Sequence, residues 1–253
     1  MPKLKLADFA IHYETLGSGL PLVLIPGSLG TGHGDFEKQL EPFSKDFTVI
    51  APDPRGYGKS RPPERDYPID FYQRDAEDIL ALMTALGHET FAIMGWSDGA
   101  NIGALLAATY SHHVTKLVMW GGNSFLTPHE IEAFQSMRSI STWSPRAADA
   151  MRLIYGDSLD ALWDRYVTGL ENLYAHGGDA DIYRSKLPLI QPPTLILHGE
   201  LDPLVPATHP RIIQQGIPGS ELYVFPEGKH NIHVRYAEEF NKTVSSFLNR
   251  KPA

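Results

Sequence analysis

Six short runs of the chain are apolar almost without interruption: PLVLIPG, FTVIAPD, TFAIMGW, KLVMWGG, PTLILHG and ELYVFPE. Each is rich in Val, Ile, Leu or Phe and bounded by Gly or Pro, the pattern of strands covered on both faces of a parallel sheet. Ahead of them, KLADFAIHYETLG places bulky Phe9, Ile11 and Tyr13 at every second position and predicts two short strands or a hairpin. Helical periods fall between the runs. In DFYQRDAEDILALMTALG, Ile79, Leu82, Met83 and Leu86 recur at helical spacing and Gly87 supplies a stop. ANIGALLAATY predicts a helix apolar on most sides and so deeply packed. YAEEFNKTVSSFLN closes the chain with Phe240, Val244 and Phe247 on one face. Strands alternating with helices predict an α/β fold, a mostly parallel eight-stranded sheet with right-handed crossovers.

The alternation lapses once. From Asn123 to Leu187 there are helical patterns, including RAADAMRLIYG and LDALWDRYVTGLENLYAHG, but no strand, and two of the four Trp lie here. Extra helices stacked on the side of the sheet would account for this. The preferred reading is a helical lid inserted after the sixth strand, KLVMWGG, roofing the carboxyl ends of the strands where open α/β sheets bind ligands. That divides the chain into a core, 1–122 and 188–253, and a helical cap, 123–187.

Composition narrows the function classes. The formal charge is −8 over 253 residues, with no Lys/Arg run and no basic amphipathic helix, which argues against nucleic acid or an anionic membrane as partner. Cysteine is absent, so disulfides and thiolate metal sites are excluded. The N-terminal stretch lacks the apolar core of a signal peptide, and no run approaches a membrane-spanning length. The expectation is a soluble, intracellular monomer, cytoplasmic by default, or mitochondrial if a transit peptide once preceded it.

The strongest chemical signal is FAIMGWSDGANIGALL, a buried strand, then Gly-Trp-Ser-Asp-Gly, then an apolar helix. Two glycines permit a very tight strand-to-helix turn that exposes the hydroxyl of Ser97 at its apex. A serine nucleophile needs a base, and the base an orienting acid. Asp202 follows the strand TLILHG, and His230 follows the strand LYVFPEG, so both should share the rim of Ser97. Asp202 is preferred to Glu200 because an Asp-Pro turn projects its carboxylate from a rigid loop. His230 is preferred to His233, which is read as the start of the final helix, and His198 is read as packed. The oxyanion requires two backbone donors. One is the amide of Asp98, and the other lies in Gly27-Ser28-Leu29-Gly30, where the residues alone do not choose between Ser28 and Leu29. GSLGTGHG lacks the Lys-Ser/Thr of a P-loop, no GxGxxG opens a helix, and the histidines show no HExxH spacing, so neither a cofactor nor a metal is expected.

These motifs together (PGSLG, DPRGYGKS, GWSDG, GELDPLVP, EGKHNIH) resemble the α/β-hydrolase superfamily along essentially the whole chain. The longer strings DPRGYGKSRPP, GWSDG, GELDPLVP and PEGKHNIH are similar to the valacyclovir hydrolase, or biphenyl hydrolase-like, group of serine esterases. The resemblance implies a triad of Ser97, Asp202 and His230, with Leu29 as the second oxyanion donor. It also implies that Asp98 holds the α-ammonium of an amino-acid ester, and that Gly169, Leu170 and Leu204 shape the pocket.

Asp98 also has a plain structural reading, since a carboxylate in the first turn of a helix is favoured by the helix dipole. Against this, a carboxylate ~5 Å from a developing oxyanion costs roughly 3 kcal/mol at an effective dielectric of 20. An ammonium on the substrate would offset that penalty. A C–C bond hydrolase, a perhydrolase or a weakly hydrolytic ligand receptor could use the same triad. A small-molecule ester carrying an α-amino group is the expected partner.

Overall fold

A computed structural model describes residues 2–176 and 180–250 of the chain. The strands are β1 (Lys3–Lys5), β2 (Ala10–Leu16), β3 (Leu20–Ile25), β4 (Phe47–Pro52), β5 (Phe91–Trp96), β6 (Val114–Trp120), β7 (Thr194–Gly199) and β8 (Glu221–Phe225). They form one eight-stranded sheet in the order β1-β2-β4-β3-β5-β6-β7-β8. The pairs β1–β2 and β2–β4 are antiparallel and all others parallel, as the sequence pattern predicts. The helices are α1 (Gly32–Ser44), α2 (Phe71–Ala85), α3 (Asp98–Thr109), α4 (Pro128–Ser136), α5 (Pro145–Tyr155), α6 (Leu159–His176), α7 (Thr208–Gly216), α8 (Ile232–Arg235) and α9 (Ala237–Leu248).

The solid apolar runs have a direct cause. Along β3, β5 and β6, Val23, Ile25, Ile93, Leu117 and Met119 point to one core, which includes α2, α3 and the helices inserted after β6. Their neighbours Leu22, Leu24, Met94, Val118 and Trp120 point to the other, against α1 and α9. β8 departs from this pattern. As the edge strand it leaves Tyr223 and Val224 exposed, because fewer elements cover its faces.

Strand order also fixes where a ligand can sit. The chain leaves β3 for β4 on one side and returns to β5 on the other, so β3 and β5 flank a topological switch point, the place where such sheets bind ligands. Their register, Ile25 opposite Gly95, sets the loop after β3 beside the turn after β5. Helices α4, α5 and α6 all fall between β6 and β7, with an antiparallel bridge between Phe125 and Asp181. His233 lies in the short α8 rather than in the final helix, because α9 starts only at Ala237.

The two glycines of the β5–α3 turn are demanded by backbone packing. A Cβ on Gly99 would stand 1.9 Å from the Ile25 carbonyl oxygen, and one on Gly95 would stand 2.2 Å from the Gly99 carbonyl oxygen. Both obstacles are backbone atoms and cannot swing aside. Gly99→Ala should therefore destabilise the protein by about 3 kcal/mol or more and push α3 off the sheet. Urea unfolding of the purified variant measures this, with a loss below about 1 kcal/mol counting against the packing argument.

Candidate active site

Ser97 sits between β5 and α3 at φ 56°, ψ −120°, a backbone conformation rarely adopted by a residue with a side chain. Such strain costs of order 1–3 kcal/mol and persists only where the surroundings impose it. Here they do, because the Ser97 amide donates to the Trp120 carbonyl while its own carbonyl accepts from Ala100 at the start of α3. The side chain is left half-buried in a cavity.

His230 Nε2 stands 3.1 Å from Ser97 Oγ, and His230 Nδ1 2.8 Å from Asp202 Oδ2. The other Asp202 oxygen accepts the amides of Leu204 and Val205 at 2.9 and 3.1 Å. Burial alone would raise the Asp202 carboxyl pKa, but the His230 bond and charge, with those two amides, carry it below its ordinary value. The acid therefore stays ionised and keeps the Nδ1 proton on His230, so Nε2 can accept the serine proton. Gly121 lets the ring in, since a Cβ there would lie 2.9 Å from His230 Cε1.

The competing residues are occupied elsewhere. Glu200 is exposed and faces Arg211 at 3.9 Å. His198 is buried in β7, and burial lowers its pKa. His233 is fully buried, receives the Trp120 indole N–H on Nδ1 and stands 3.0 Å from the Asp35 carbonyl through Nε2. Burial pushes its pKa down to about 3, so it is a neutral strut.

The second half of the site is the turn Gly27-Ser28-Leu29-Gly30, closed by the Gly30 amide on the Gly27 carbonyl at 3.1 Å. Leu29 takes φ 59° within it. Asp35 Oδ2 accepts the Gly27 amide at 3.0 Å, and burial pushes the Asp35 pKa up to about 7. Ser28, Leu29, Ser97, Asp98 and His230 all line the same cavity of about 450 Å³. The first amides of α3 have no intrahelical partner, so Asp98, its first residue, can present its N–H to an oxyanion beside Ser97.

An apolar part of the wall, Leu126, Phe134, Met137, Trp143, Met151 and Trp163, comes from the helices inserted after β6 and their flanking loops, with Asn123 and Glu130 among the polar groups beside it. Leu170 and Leu204 are among the cavity's lining residues, whereas Gly169 is not. Gly169 lies one position round α6, on the face packed against Tyr67, whose Cβ would be 2.5 Å from an added Cβ. It is a close-packing glycine.

A sequence profile described as the alpha/beta hydrolase fold matches residues 21–153 and 164–235. The chain belongs to the α/β-hydrolase family. Serine hydrolase BPHL of Mus musculus is 44% identical over 241 residues, 94% of this chain and 82% of that protein. The Homo sapiens protein of the same name is 43% identical over the same shares. In fold alone, a hydrolase from Pseudomonas aeruginosa PA01 aligns with a TM-score of 0.80 at 24% identity, over 98% of both chains. The similarity to the biphenyl hydrolase-like group thus extends through nearly the whole chain, and the protein is a hydrolase.

What the sequence did not disclose about this hydrolase is how Asp98 is held. Its side chain is buried, and its Oδ1 accepts hydroxyls from two helices, Tyr72 of α2 at 2.7 Å and Tyr166 of α6 at 2.9 Å. Neither bond uses Oδ2. The nearby Arg65 is spent on a bidentate pair with Asp75. Burial therefore wins, and against the two tyrosine bonds and the Arg65 charge it pushes the Asp98 pKa up to about 6.

A raised carboxyl pKa means that ionised Asp98 weakens the fold. The shift from 3.8 to about 6 corresponds to roughly 3 kcal/mol. The cost is absent below pH ~4, grows as pH rises through about 6, and is complete above it. Asp98→Asn should accordingly raise Tm by several degrees at pH 8 and by little at pH 4. Calorimetry at the two pH values checks this, and equal shifts at both would count against it.

Proposed function

We propose that the protein hydrolyses carboxylic esters of α-amino acids through a seryl acyl-enzyme. The observation that carries the substrate assignment is the buried Asp98 carboxylate beside Ser97, in a cavity with no Lys or Arg among its described lining residues. A second carboxylate, Glu130, also lines it. Such a cavity favours a cationic ligand and disfavours an anionic one. It therefore supports an amino-acid ester over the dicarboxylate chemistry named for a 28% identical relative from Pseudomonas putida, a 2-hydroxy-6-oxononadienedioate/2-hydroxy-6-oxononatrienedioate hydrolase.

In this mechanism His230 takes the Ser97 proton as Oγ attacks the ester carbonyl, and Asp202 stabilises the resulting imidazolium. The amides of Leu29 and Asp98 receive the oxyanion, and His230 returns the proton to the departing alcohol. His230 then activates water against the acyl-enzyme in the same way. Asp98 contributes twice. Its backbone N–H meets the oxyanion while its carboxylate meets the α-ammonium two bonds from the reacting carbonyl carbon. The ammonium neutralises the charge that would otherwise oppose the oxyanion. The helices between β6 and β7 act as a cap that supplies the apolar chamber for the acyl side chain.

Three matched esters test this: free α-amino, N-acetylated, and lacking the amino group. The free-amino ester should have the largest kcat/KM, and Asp98→Asn should reduce its advantage by roughly 10- to 100-fold. Unchanged ratios in the variant would refute the ammonium role. The ratio of kcat/KM for the amino ester to that for the des-amino ester should also fall as pH drops through about 6, where Asp98 loses its charge. Taking the ratio cancels the titration of the common base.

A further inference from the structure

Tyr155, the last residue of α5, carries one buried hydroxyl between two loops at the carboxyl end of the sheet. It donates to the Leu29 carbonyl at 2.7 Å and accepts the Gly58 amide at 3.1 Å. Leu29 is one of three non-glycine residues at positive φ among the described residues. The peptide that follows it is held at both ends, its carbonyl by Tyr155 and its N–H by the Gly27 carbonyl. Leaving positive φ would turn the peptide before Leu29, which carries the Leu29 N–H, about the N–Cα bond. The pinned peptide that follows fixes ψ and the place of the Leu29 Cα, so the Leu29 N–H starts from a fixed point in the cavity wall.

We infer that Tyr155 is a positioning residue, holding the Leu29 backbone, and with it the amide, in place at the oxyanion site and thereby coupling the seating of α5 to that site. This rests on the reading of the Leu29 amide as an oxyanion donor. Without the Tyr155 hydroxyl the turn relaxes and the donor is misaimed. The transition state then suffers, while a ground-state substrate, whose carbonyl demands less of the donor, does not.

Tyr155→Phe should lower kcat roughly tenfold with KM within about twofold. The loss should be the same on esters with and without an α-amino group, which separates it from any failure of the Asp98 assignment. Affinity for a boronic acid that forms a tetrahedral adduct on Ser97 should fall by the same factor as kcat/KM. Arg61→Met is the comparison for general loosening. Arg61 stacks on the Tyr155 ring at 4.7 Å and donates to the Ile154 and Gly58 carbonyls, anchoring the same helix end without touching Leu29. It should lower Tm yet keep kcat and boronate affinity within about twofold. The inference is overturned if Tyr155→Phe keeps both wild-type values while Ser97→Ala is inactive, or if Arg61→Met reproduces both losses. Activity that survives Ser97→Ala would remove the acyl-enzyme reading beneath it.

Discussion

The site depends on one close approach of backbone to backbone, Gly99 at the start of α3 against the Ile25 carbonyl at the end of β3. No side chain fits between them, and that contact brings the two strand ends of the switch point together. It forces the chain to turn within Gly95–Gly99, holds Ser97 at positive φ with its hydroxyl outward, and sets the first amides of α3 beside the Gly27–Gly30 turn. The His230–Asp202 pair arrives from the far strands β7 and β8, and its geometry matters only because Ser97 is already fixed.

The same turn places Asp98 where a carboxylate is costly. Its ionisation is opposed by burial, and two tyrosine hydroxyls and a committed arginine only partly offset this. Folding tolerates a charge it has not fully neutralised, a conflict of the kind that proteins keep at functional sites. An ammonium ligand, as in the proposed substrate, would resolve it. Because Tyr72 comes from the core and Tyr166 from the inserted helices, the carboxylate also ties the two layers together at the point where substrate charge would arrive. Tyr155 forms a second such tie at Leu29.

Much of this was legible in the sequence because it depends on local pattern. The apolar runs became central strands because both faces are covered, and the exception, β8, is the edge strand, a position that a run of five residues does not reveal. Ser97, Asp202 and His230 could be read from strand ends, since topology alone brings strand ends to one rim. Side-chain direction could not. Gly169 and Leu170 are adjacent on α6, yet only Leu170 reaches the cavity. Tyr72, Tyr155 and Tyr166 were hidden because their partners lie 26, 126 and 68 positions away. Their one sequence signal is a tyrosine among buried helical positions, whose hydroxyl must find a partner.

The most direct test of the central claim, that Asp98 holds a substrate ammonium while its amide holds the oxyanion, is a crystal structure of Ser97 phosphonylated by a diphenyl 1-aminoalkylphosphonate. The account predicts the ammonium within hydrogen-bond distance of Asp98 Oδ2 and the phosphoryl oxygen on the amides of Leu29 and Asp98. An adduct with its ammonium turned away from Asp98, or with its phosphoryl oxygen outside those amides, would contradict it.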